Sequence, residues 1–155
     1  MAQRDQISAR PAFEGIDFDE RPFLVIWEAT QACDLACVHC RACAQPSRHP
    51  LELTTDEAKS VIEEVAAMRT PLFVISGGDP LKRPDIYELT GHAADLGLRP
   101  SMTPSATPLL SRMAMEKLKA NGLARLAVSL DGPDANCSYQ PKPSRTRPEL
   151  GSLSC

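Results

Sequence analysis

The sequence predicts an α/β protein built on a parallel sheet. Four short apolar runs, typical of strands, alternate with three segments whose apolar residues recur every three or four positions, as in amphipathic helices. This alternation favours parallel strands joined by right-handed crossovers. We therefore expect about four parallel strands with three crossover helices. In such sheets ligands bind beyond the carboxyl ends of the strands, so the loops after the strands are where a site is expected.

The four strand segments differ in their patterns. Phe23–Trp27 is a continuous apolar run of the kind found in strands that are buried on both faces, and Leu72–Ile75 is a second such run. Leu98–Thr103 is weaker because Pro100 cannot donate a hydrogen bond to a strand ladder. Leu126–Leu130 is the fourth run. The third strand is therefore predicted to have the least regular ladder.

Each helical segment carries a start or stop signal. Thr54 and Glu57 fit a capping box at the start of the first helix, which Pro71 is expected to end. Pro84 suits the first turn of the second helix, and Ser111 can cap the third. The residues expected to face the core are Ala58, Val61, Ile62, Val65 and Met68 in the first helix, Ile86, Leu89, Ala93 and Leu96 in the second, and Ala114, Met115 and Leu118 in the third.

Length and charge exclude several classes of protein. The 155 residues suffice for one domain with a modest core. A net charge of −3 gives no basic footprint for nucleic acid, and no apolar run is long enough to span a membrane. Residues 1–11 lack the apolar segment of a secretory signal. The six cysteines therefore favour metal binding or redox work in a reducing cytoplasm over a disulfide scaffold.

Three cysteines follow the first strand with the spacing C-x₃-C-x₂-C, namely Cys33, Cys37 and Cys40. Thiolates so close in sequence can face one point in space, as an iron–sulfur cluster or a metal ion requires. A four-iron cluster held by three cysteines leaves one iron open to another ligand. A structural zinc site would instead need a fourth ligand, which Cys43 or His49 could supply.

A glycine-rich turn, Gly77-Gly78-Asp79-Pro80, follows the second strand, and polar turns follow the third (103–107) and the fourth (129–132). With the cysteine loop, all four lie at the carboxyl ends of predicted strands, so we expect them to form one site. Glycines also let a backbone come close to a ligand. A zinc site gives no reason for this arrangement, which favours the cluster.

With these motifs the chain resembles the radical S-adenosylmethionine (radical SAM) enzymes, over roughly residues 23–134. The family signature is C-x₃-C-x-aromatic-C, and His39 stands in the aromatic position. The resemblance implies a 4Fe-4S cluster and S-adenosylmethionine (SAM) on its open iron. It further implies reductive cleavage of SAM to a 5′-deoxyadenosyl radical, which abstracts hydrogen from a substrate. An external electron donor of the flavodoxin or ferredoxin type is implied as a partner.

The segments Gly-Gly-Asp-Pro-Leu and Cys-Arg-Ala-Cys look most like the subgroup near the haem d1 biosynthesis proteins, with the peptide-modifying members as further relatives. Tetrapyrrole or peptide modification is therefore the expected kind of reaction, on a substrate that the sequence does not identify. The alternative function is a structural zinc-binding or iron–sulfur electron-transfer module without SAM chemistry.

The resemblance also implies the site residues. Cys33, Cys37 and Cys40 are the expected cluster ligands, and no catalytic side chain is predicted because the cofactors carry the chemistry. Lys82 and Arg83 are expected to be solvated. The glycine turn is similar to the family's Gly-Gly-Glu motif, whose backbone groups bind the SAM amino group. The expected SAM contacts are His39, Gly77, Gly78, Asp79, Pro80, Ser105, Ser129 and Asp131.

The expected division of the chain is an N-terminal arm (1–22), a radical SAM core (23–135) and a tail (136–155). The family fold is a partial TIM-like barrel of six βα units, of which about four strands are predicted here. The tail is rich in proline, serine and basic residues, so we expect a truncated or frame-shifted chain, with a native disordered tail as the alternative. A truncated chain is expected to bind SAM weakly and to turn over no substrate.

Overall fold

A computed structural model describes residues 17–35, 37 and 40–128. These residues contain a four-stranded parallel sheet. The strands lie side by side in chain order as β1 (Leu24–Glu28), β2 (Leu72–Ser76), β3 (Pro100–Met102) and β4 (Arg125–Leu126). The connecting helices are α1 (Thr55–Ala67), α2 (Ile86–Asp95) and α3 (Arg112–Ala120), with a short 3₁₀ helix (Pro80–Lys82) before α2. The predicted α/β fold with four parallel strands and three crossover helices is confirmed.

The register of the strands aligns apolar side chains on one face of the sheet. Trp27, Ile75 and Met102 stand opposite one another on neighbouring strands, and Val25 and Phe73 form the adjacent row. The helices pack on this face, so the core lies between them and the sheet, where burial of apolar surface stabilises the fold. The buried helix residues of this core are Ala58, Ile62, Val65, Ile86, Leu89, Ala93 and Leu118.

The other face of β1 is open. Leu24 is 42% exposed and Ile26 is 51% exposed, so the prediction that this strand is buried on both faces is wrong. The continuous apolar run conceals an alternation, because Val25 and Trp27 pack against the core while their neighbours point away from it. In the described sheet β1 is also an edge strand, paired with β2 alone.

The last two strands are shorter than predicted. β3 begins at Pro100 rather than at Leu98, and proline suits the first residue of a strand because its missing N–H is not needed there. β4 comprises Arg125–Leu126, whereas the predicted run continued to Leu130, beyond residue 128 where the described residues end.

The predicted capping box of α1 is confirmed. Thr54 Oγ1 accepts from the Glu57 N–H at 3.3 Å, and Glu57 Oε2 accepts from the Thr54 N–H at 2.8 Å. The helix nevertheless ends at Ala67, before the predicted stop at Pro71. The reason is Arg69, which adopts a left-handed conformation with φ of 53° that no helix can continue through.

Three residues that were expected to face the core are exposed instead. Met68 and Leu96 are the C-caps of α1 and α2, and Met115 lies in the first half of α3 away from the sheet. α2 begins at Ile86, so Pro84 precedes the helix. The helices that the structure describes are all too short or too polar to span a bilayer.

Arg83 is buried, which overturns the expectation that it is solvated. Only 1% of the residue is exposed. Its Nε and Nη2 donate to the two carboxylate oxygens of Asp85 at 2.8 and 2.7 Å, and its Nη1 donates to the Ala29 carbonyl at 3.1 Å. The guanidinium lies 5.3 Å from the centre of the Trp27 ring. Thr55 Oγ1 also donates to Asp85 at 2.7 Å, so the pair joins β1 to the starts of α1 and α2.

Replacing Arg83 by methionine is expected to lower the free energy of unfolding by about 3 kcal/mol, because Asp85 would lose its charged partner in a buried position. Burial raises the pKa of Asp85, and the hydrogen bonds from Arg83 and Thr55 outweigh this and hold it below its usual value. Urea unfolding followed by circular dichroism measures the loss. Arg112→Met is the control, since that exposed arginine pairs with Glu116 at the surface and should unfold like the wild type. An Arg83→Met chain as stable as the wild type would contradict the argument.

Candidate functional site

The loops that follow β1 and β2 are hydrogen-bonded to each other at the carboxyl edge of the sheet. The Gly78 N–H donates to the Thr30 carbonyl at 2.7 Å, and the Asp79 N–H donates to the Ala32 carbonyl at 2.7 Å. The first loop, residues 29–53, carries the three-cysteine motif and is called the cysteine loop below. The structure therefore brings the cysteine loop and the glycine turn together.

Both glycines of the turn are required by this contact. Gly77 has a φ of +139°, which side chains rarely tolerate, and a Cβ there would overlap the Thr30 carbonyl oxygen. A Cβ on Gly78 would lie 2.5 Å from the Ala32 carbonyl oxygen and 2.7 Å from that of Gln31. The close approach that these glycines permit is thus to the backbone that leads into the cysteine motif.

Asp79 is a buried carboxylate that holds the turn in shape. Its Oδ1 accepts from the Leu81 N–H at 3.1 Å, which caps the 3₁₀ helix, and its Oδ2 accepts from Thr107 Oγ1 at 2.9 Å. Burial raises the pKa of Asp79, and the hydrogen bond from Thr107 opposes that rise. Pro80, the next residue, is buried as well. Neither of these two predicted SAM contacts exposes surface in this arrangement.

Ser105 connects the loop after β3 to both of the other motifs. Its hydroxyl donates to the Gly78 carbonyl at 3.1 Å and lies 3.4 Å from Cys33 Sγ. Cys33 is 3% exposed, and its sulfur also accepts from the Leu35 N–H at 3.4 Å. Ser105 was predicted as a SAM contact, and the structure places it against a predicted cluster ligand.

The three cysteines of the motif are free thiols. Cys33 is buried, whereas Cys37 and Cys40 are partly exposed. The Cys40 N–H donates to the Cys37 carbonyl at 3.2 Å, so these two residues lie in one turn. Within the described part of the chain, no three histidine, cysteine, aspartate or glutamate side chains are close enough together to hold a metal ion. The sulfurs of the motif are therefore on one loop but do not converge.

The donor set fits an iron–sulfur cluster better than a zinc site. Thiolates are the usual protein ligands of such clusters. Of the two candidates for the fourth ligand of a zinc site, Cys43 is disulfide-bonded, unlike the three cysteines of the motif. His49 Nδ1 accepts from the Leu51 N–H at 3.1 Å, which leaves only its Nε2 for a metal. Three thiols remain for metal binding in the described loop, which is the number a cluster with an open iron needs.

Several predictions fall outside the residues that the structure describes. These are the SAM contacts His39, Ser129 and Asp131. The N-terminal arm (1–22) is described only from residue 17, and the tail (136–155) lies wholly outside. The roles of these residues and the division of the chain therefore stay predictions.

The base of the cysteine loop holds a carboxylate that the sequence analysis missed. Glu52 Oε1 accepts from Thr30 Oγ1 at 2.8 Å, from the Gln31 N–H at 2.9 Å and from the His49 N–H at 3.2 Å. Glu52 Oε2 accepts from Arg48 Nε at 2.7 Å. Only 10% of the Glu52 side chain is exposed. The single hint in the sequence is the basic residue four positions earlier, which is too common a pattern to identify a site.

These hydrogen bonds keep Glu52 ionised. Burial alone would raise the pKa of Glu52, but hydrogen bonds from Arg48, Gln31, Thr30 and His49 outweigh it and lower the pKa to about 2. A carboxyl whose pKa is lower in the folded than in the unfolded chain stabilises the fold above its ordinary pKa. That contribution is lost as the pH falls toward 2. Glu52 is therefore a fixed negative charge across the neutral range.

A second ionic contact reaches into the cysteine motif itself. Lys82, at the end of the 3₁₀ helix, pairs with Asp34, which follows the first cysteine. The Lys82 side chain is only 20% exposed, so the expectation that it is solvated is wrong. This pair joins the cysteine loop to the 3₁₀ helix that follows the glycine turn.

The chain belongs to the radical SAM superfamily, whose sequence pattern matches residues 27–149. An AdoMet-dependent heme synthase of Methanosarcina barkeri is 47% identical over 114 residues, which cover 74% of this chain and 32% of that protein. An Fe-coproporphyrin III synthase of the same organism is 40% identical, over 74% of this chain and 28% of its own length. A PqqA peptide cyclase of Bradyrhizobium diazoefficiens is 38% identical, over 72% and 29% respectively.

The chain therefore spans about a third of the length of the curated relatives it matches. The resemblance to radical SAM enzymes that the motifs indicated is confirmed, as is the assignment to an enzyme class.

Proposed function

We propose that this chain is the cluster- and SAM-binding part of a radical SAM enzyme. The observation that carries the proposal is the direct bonding of the cysteine loop to the glycine turn, at the edge of the sheet where ligands bind. Cys33, Cys37 and Cys40 would hold a 4Fe-4S cluster. When bound, the cluster and SAM supply reductive SAM cleavage for hydrogen abstraction from a substrate, with electrons from a flavodoxin- or ferredoxin-type donor.

The residues of the chain serve this chemistry by holding the ligand-bearing loop in place. The buried position of Cys33 keeps water away from one of the three sulfurs. Ser105 contacts that sulfur and the Gly78 carbonyl together, so it fixes the distance between the cysteine loop and the glycine turn. Asp79 holds the turn through its bond from Thr107. The predicted SAM contacts Gly77 and Gly78 lie at the centre of this arrangement.

We further propose that the substrate is a tetrapyrrole, with a peptide as the second candidate. The match to an AdoMet-dependent heme synthase is 47% identical, against 38% for a PqqA peptide cyclase over a similar length. Both comparisons cover the part of the relatives that this chain shares, so the difference supports an order of preference between the two classes. Because a truncated chain is expected to turn over no substrate, the measurement that distinguishes them is binding: the reconstituted chain is titrated with an iron porphyrin and with a peptide, and tighter binding of the porphyrin is expected.

Anaerobic reconstitution with iron and sulfide tests the proposed function. We expect a brown protein with broad visible absorption and about four iron atoms per chain. Addition of SAM is expected to change the electron paramagnetic resonance spectrum of the reduced cluster. Cys43→Ala is the matched control, because it should leave the cluster intact. Tight binding of one zinc ion per chain, with no cluster under any reconstitution and loss of the zinc in Cys43→Ala, would establish the zinc alternative and overturn the proposal.

A further inference from the structure

We propose that Glu52 is a positioning residue that clamps the two ends of the cysteine loop together and so holds the three cysteines for metal binding. The inference rests on the proposed function, since it takes those cysteines as the cluster ligands. The hydrogen bonds described for Glu52 go to Thr30, Gln31, Arg48 and His49. Glu52 acts through the backbone at the base of the loop.

The clamp consists of hydrogen bonds from both ends of the loop to a single side chain. Thr30 and Gln31, where the chain leaves β1, donate to Glu52 Oε1. His49, near the other end of the loop, donates to the same oxygen, and Arg48 donates to Oε2. The chain between these two ends contains all three cysteines of the motif. One carboxylate therefore closes the loop at its base.

The backbone transmits the clamp to the first cysteine. The Gln45 N–H donates to the Gln31 carbonyl at 2.7 Å, and the Cys33 N–H donates to the Gln45 carbonyl at 2.7 Å. Ala32 and Gln45 form a parallel β-bridge between these two bonds. Gln31 therefore takes part in both contacts. Its N–H donates to Glu52, and its carbonyl accepts the first hydrogen bond of the short ladder that reaches Cys33.

Thr30 also links the clamp to the glycine turn. Its carbonyl accepts the Gly78 N–H, and its hydroxyl both donates to Glu52 and accepts from the Ala32 N–H at 3.0 Å. Thr30 is 2% exposed, so loss of the carboxylate would leave its hydroxyl without an acceptor in a dry position. Removal of Glu52 would therefore loosen the loop on the side that faces the glycine turn.

Among the described residues, the other ionic contacts of the loop are more exposed. Asp34 is 47% exposed in its pair with Lys82, and Arg41 is 78% exposed in its pair with Glu28. Exposed pairs are screened by water and salt and hold a loop weakly. Glu52, at 10% exposure and with four donors, is the strongest electrostatic anchor of the described loop.

The test compares Glu52→Ala, Glu52→Gln and Glu57→Ala in the whole chain after anaerobic reconstitution. Iron retention is measured by the release of iron to a chelator, beside thermal unfolding of each variant. We expect Glu52→Ala to retain iron about tenfold more weakly than the wild type, as substitutions of residues that orient metal ligands do. Glu52→Gln keeps an oxygen acceptor for Thr30 and Gln31 and is expected to rescue retention.

Glu57→Ala separates positioning from general stability. Glu57 also accepts a backbone N–H, but at the capping box of α1 and without contact to the cysteine loop. The Glu57→Ala substitution should lower the unfolding temperature and leave iron retention at the wild-type value. Equal loss of iron in Glu57→Ala and Glu52→Ala would overturn the proposal, as would wild-type retention in Glu52→Ala. If Glu52→Ala does not fold, Thr30→Val replaces it with the same expected loss.

Amide hydrogen exchange on the metal-free chain tests the clamp without the cluster. The N–H groups of Gln31, Cys33 and Gln45 are expected to exchange faster in Glu52→Ala than in the wild type and to be restored in Glu52→Gln. Unchanged exchange in Glu52→Ala would overturn the clamp. A third outcome separates the two proposals: the wild-type chain binds no cluster, but exchange is still faster in Glu52→Ala. That outcome would overturn the proposed function and the metal-positioning role, while the clamp would be confirmed as a structural contact.

Discussion

Alanine in place of Cys33, Cys37 or Cys40 is expected to abolish iron–sulfur cluster binding by this chain. In the proposed site each residue supplies one of three thiolates, and a cluster held by two would have lost both a covalent ligand and its charge. Iron and sulfide are measured after anaerobic reconstitution of each variant. Cys33→Ala should in addition lower stability, because its sulfur is buried and bonded to Leu35 and Ser105.

Cys137→Ala and Cys155→Ala are the controls for this series. Both cysteines stand singly in the sequence, without another cysteine at metal-site spacing, and both lie outside the described residues. Both variants are expected to bind the cluster as the wild type does. A cluster lost on removal of either one would show that the tail belongs to the site.

Gly78→Ala is expected to leave the chain largely unfolded, with a loss of more than about 4 kcal/mol. The new Cβ would lie 2.5 to 2.8 Å from backbone atoms of Gln31 and Ala32, none of which is the end of a flexible side chain. Relief of the overlap requires the cysteine loop and the glycine turn to separate. That separation breaks the hydrogen bonds from Gly78 to Thr30 and from Asp79 to Ala32.

Gly91→Ala is the matched control for Gly78→Ala. Gly91 lies inside α2, and a Cβ there would come no closer than 3.2 Å, to the Asn121 side chain. Alanine has a higher helix propensity than glycine, so the Gly91→Ala variant is expected to be about as stable as the wild type. Thermal unfolding followed by circular dichroism compares the two. A Gly78→Ala chain with the same unfolding temperature as the Gly91→Ala chain would contradict the predicted overlap.

The fold and the meeting of the predicted motifs at one edge of the sheet could be predicted from the sequence because both depend on local patterns. The alternation of apolar runs and amphipathic segments specifies parallel strands, and parallel strands place their following loops at one edge. The meeting of the cysteine loop with the glycine turn follows from that geometry. The start of α1 was likewise predictable, because the residues of a capping box are close in sequence.

The partners of charged residues could not be predicted, because they depend on contacts between distant parts of the chain. Arg83 looks like a surface residue beside Lys82, yet it lies beneath Trp27 and the Ala29 carbonyl. Glu52 lies in a polar loop and gains its donors only when the two ends of that loop meet. Burial of β1 was overestimated for a related reason, since a run of apolar residues does not show which side of a strand the helices cover.

The contact between Ser105, Gly78 and Cys33 has a consequence for hydrogen atoms. A serine hydroxyl carries one hydrogen. While that hydrogen points to the Gly78 carbonyl, the contact with Cys33 can be a hydrogen bond only if the sulfur is the donor, and therefore a neutral thiol. A cysteine that binds metal has given up that hydrogen. Once Cys33 is a metal ligand, the Leu35 N–H can still donate to its sulfur, but the Ser105 hydroxyl can do so only after it has turned away from the Gly78 carbonyl.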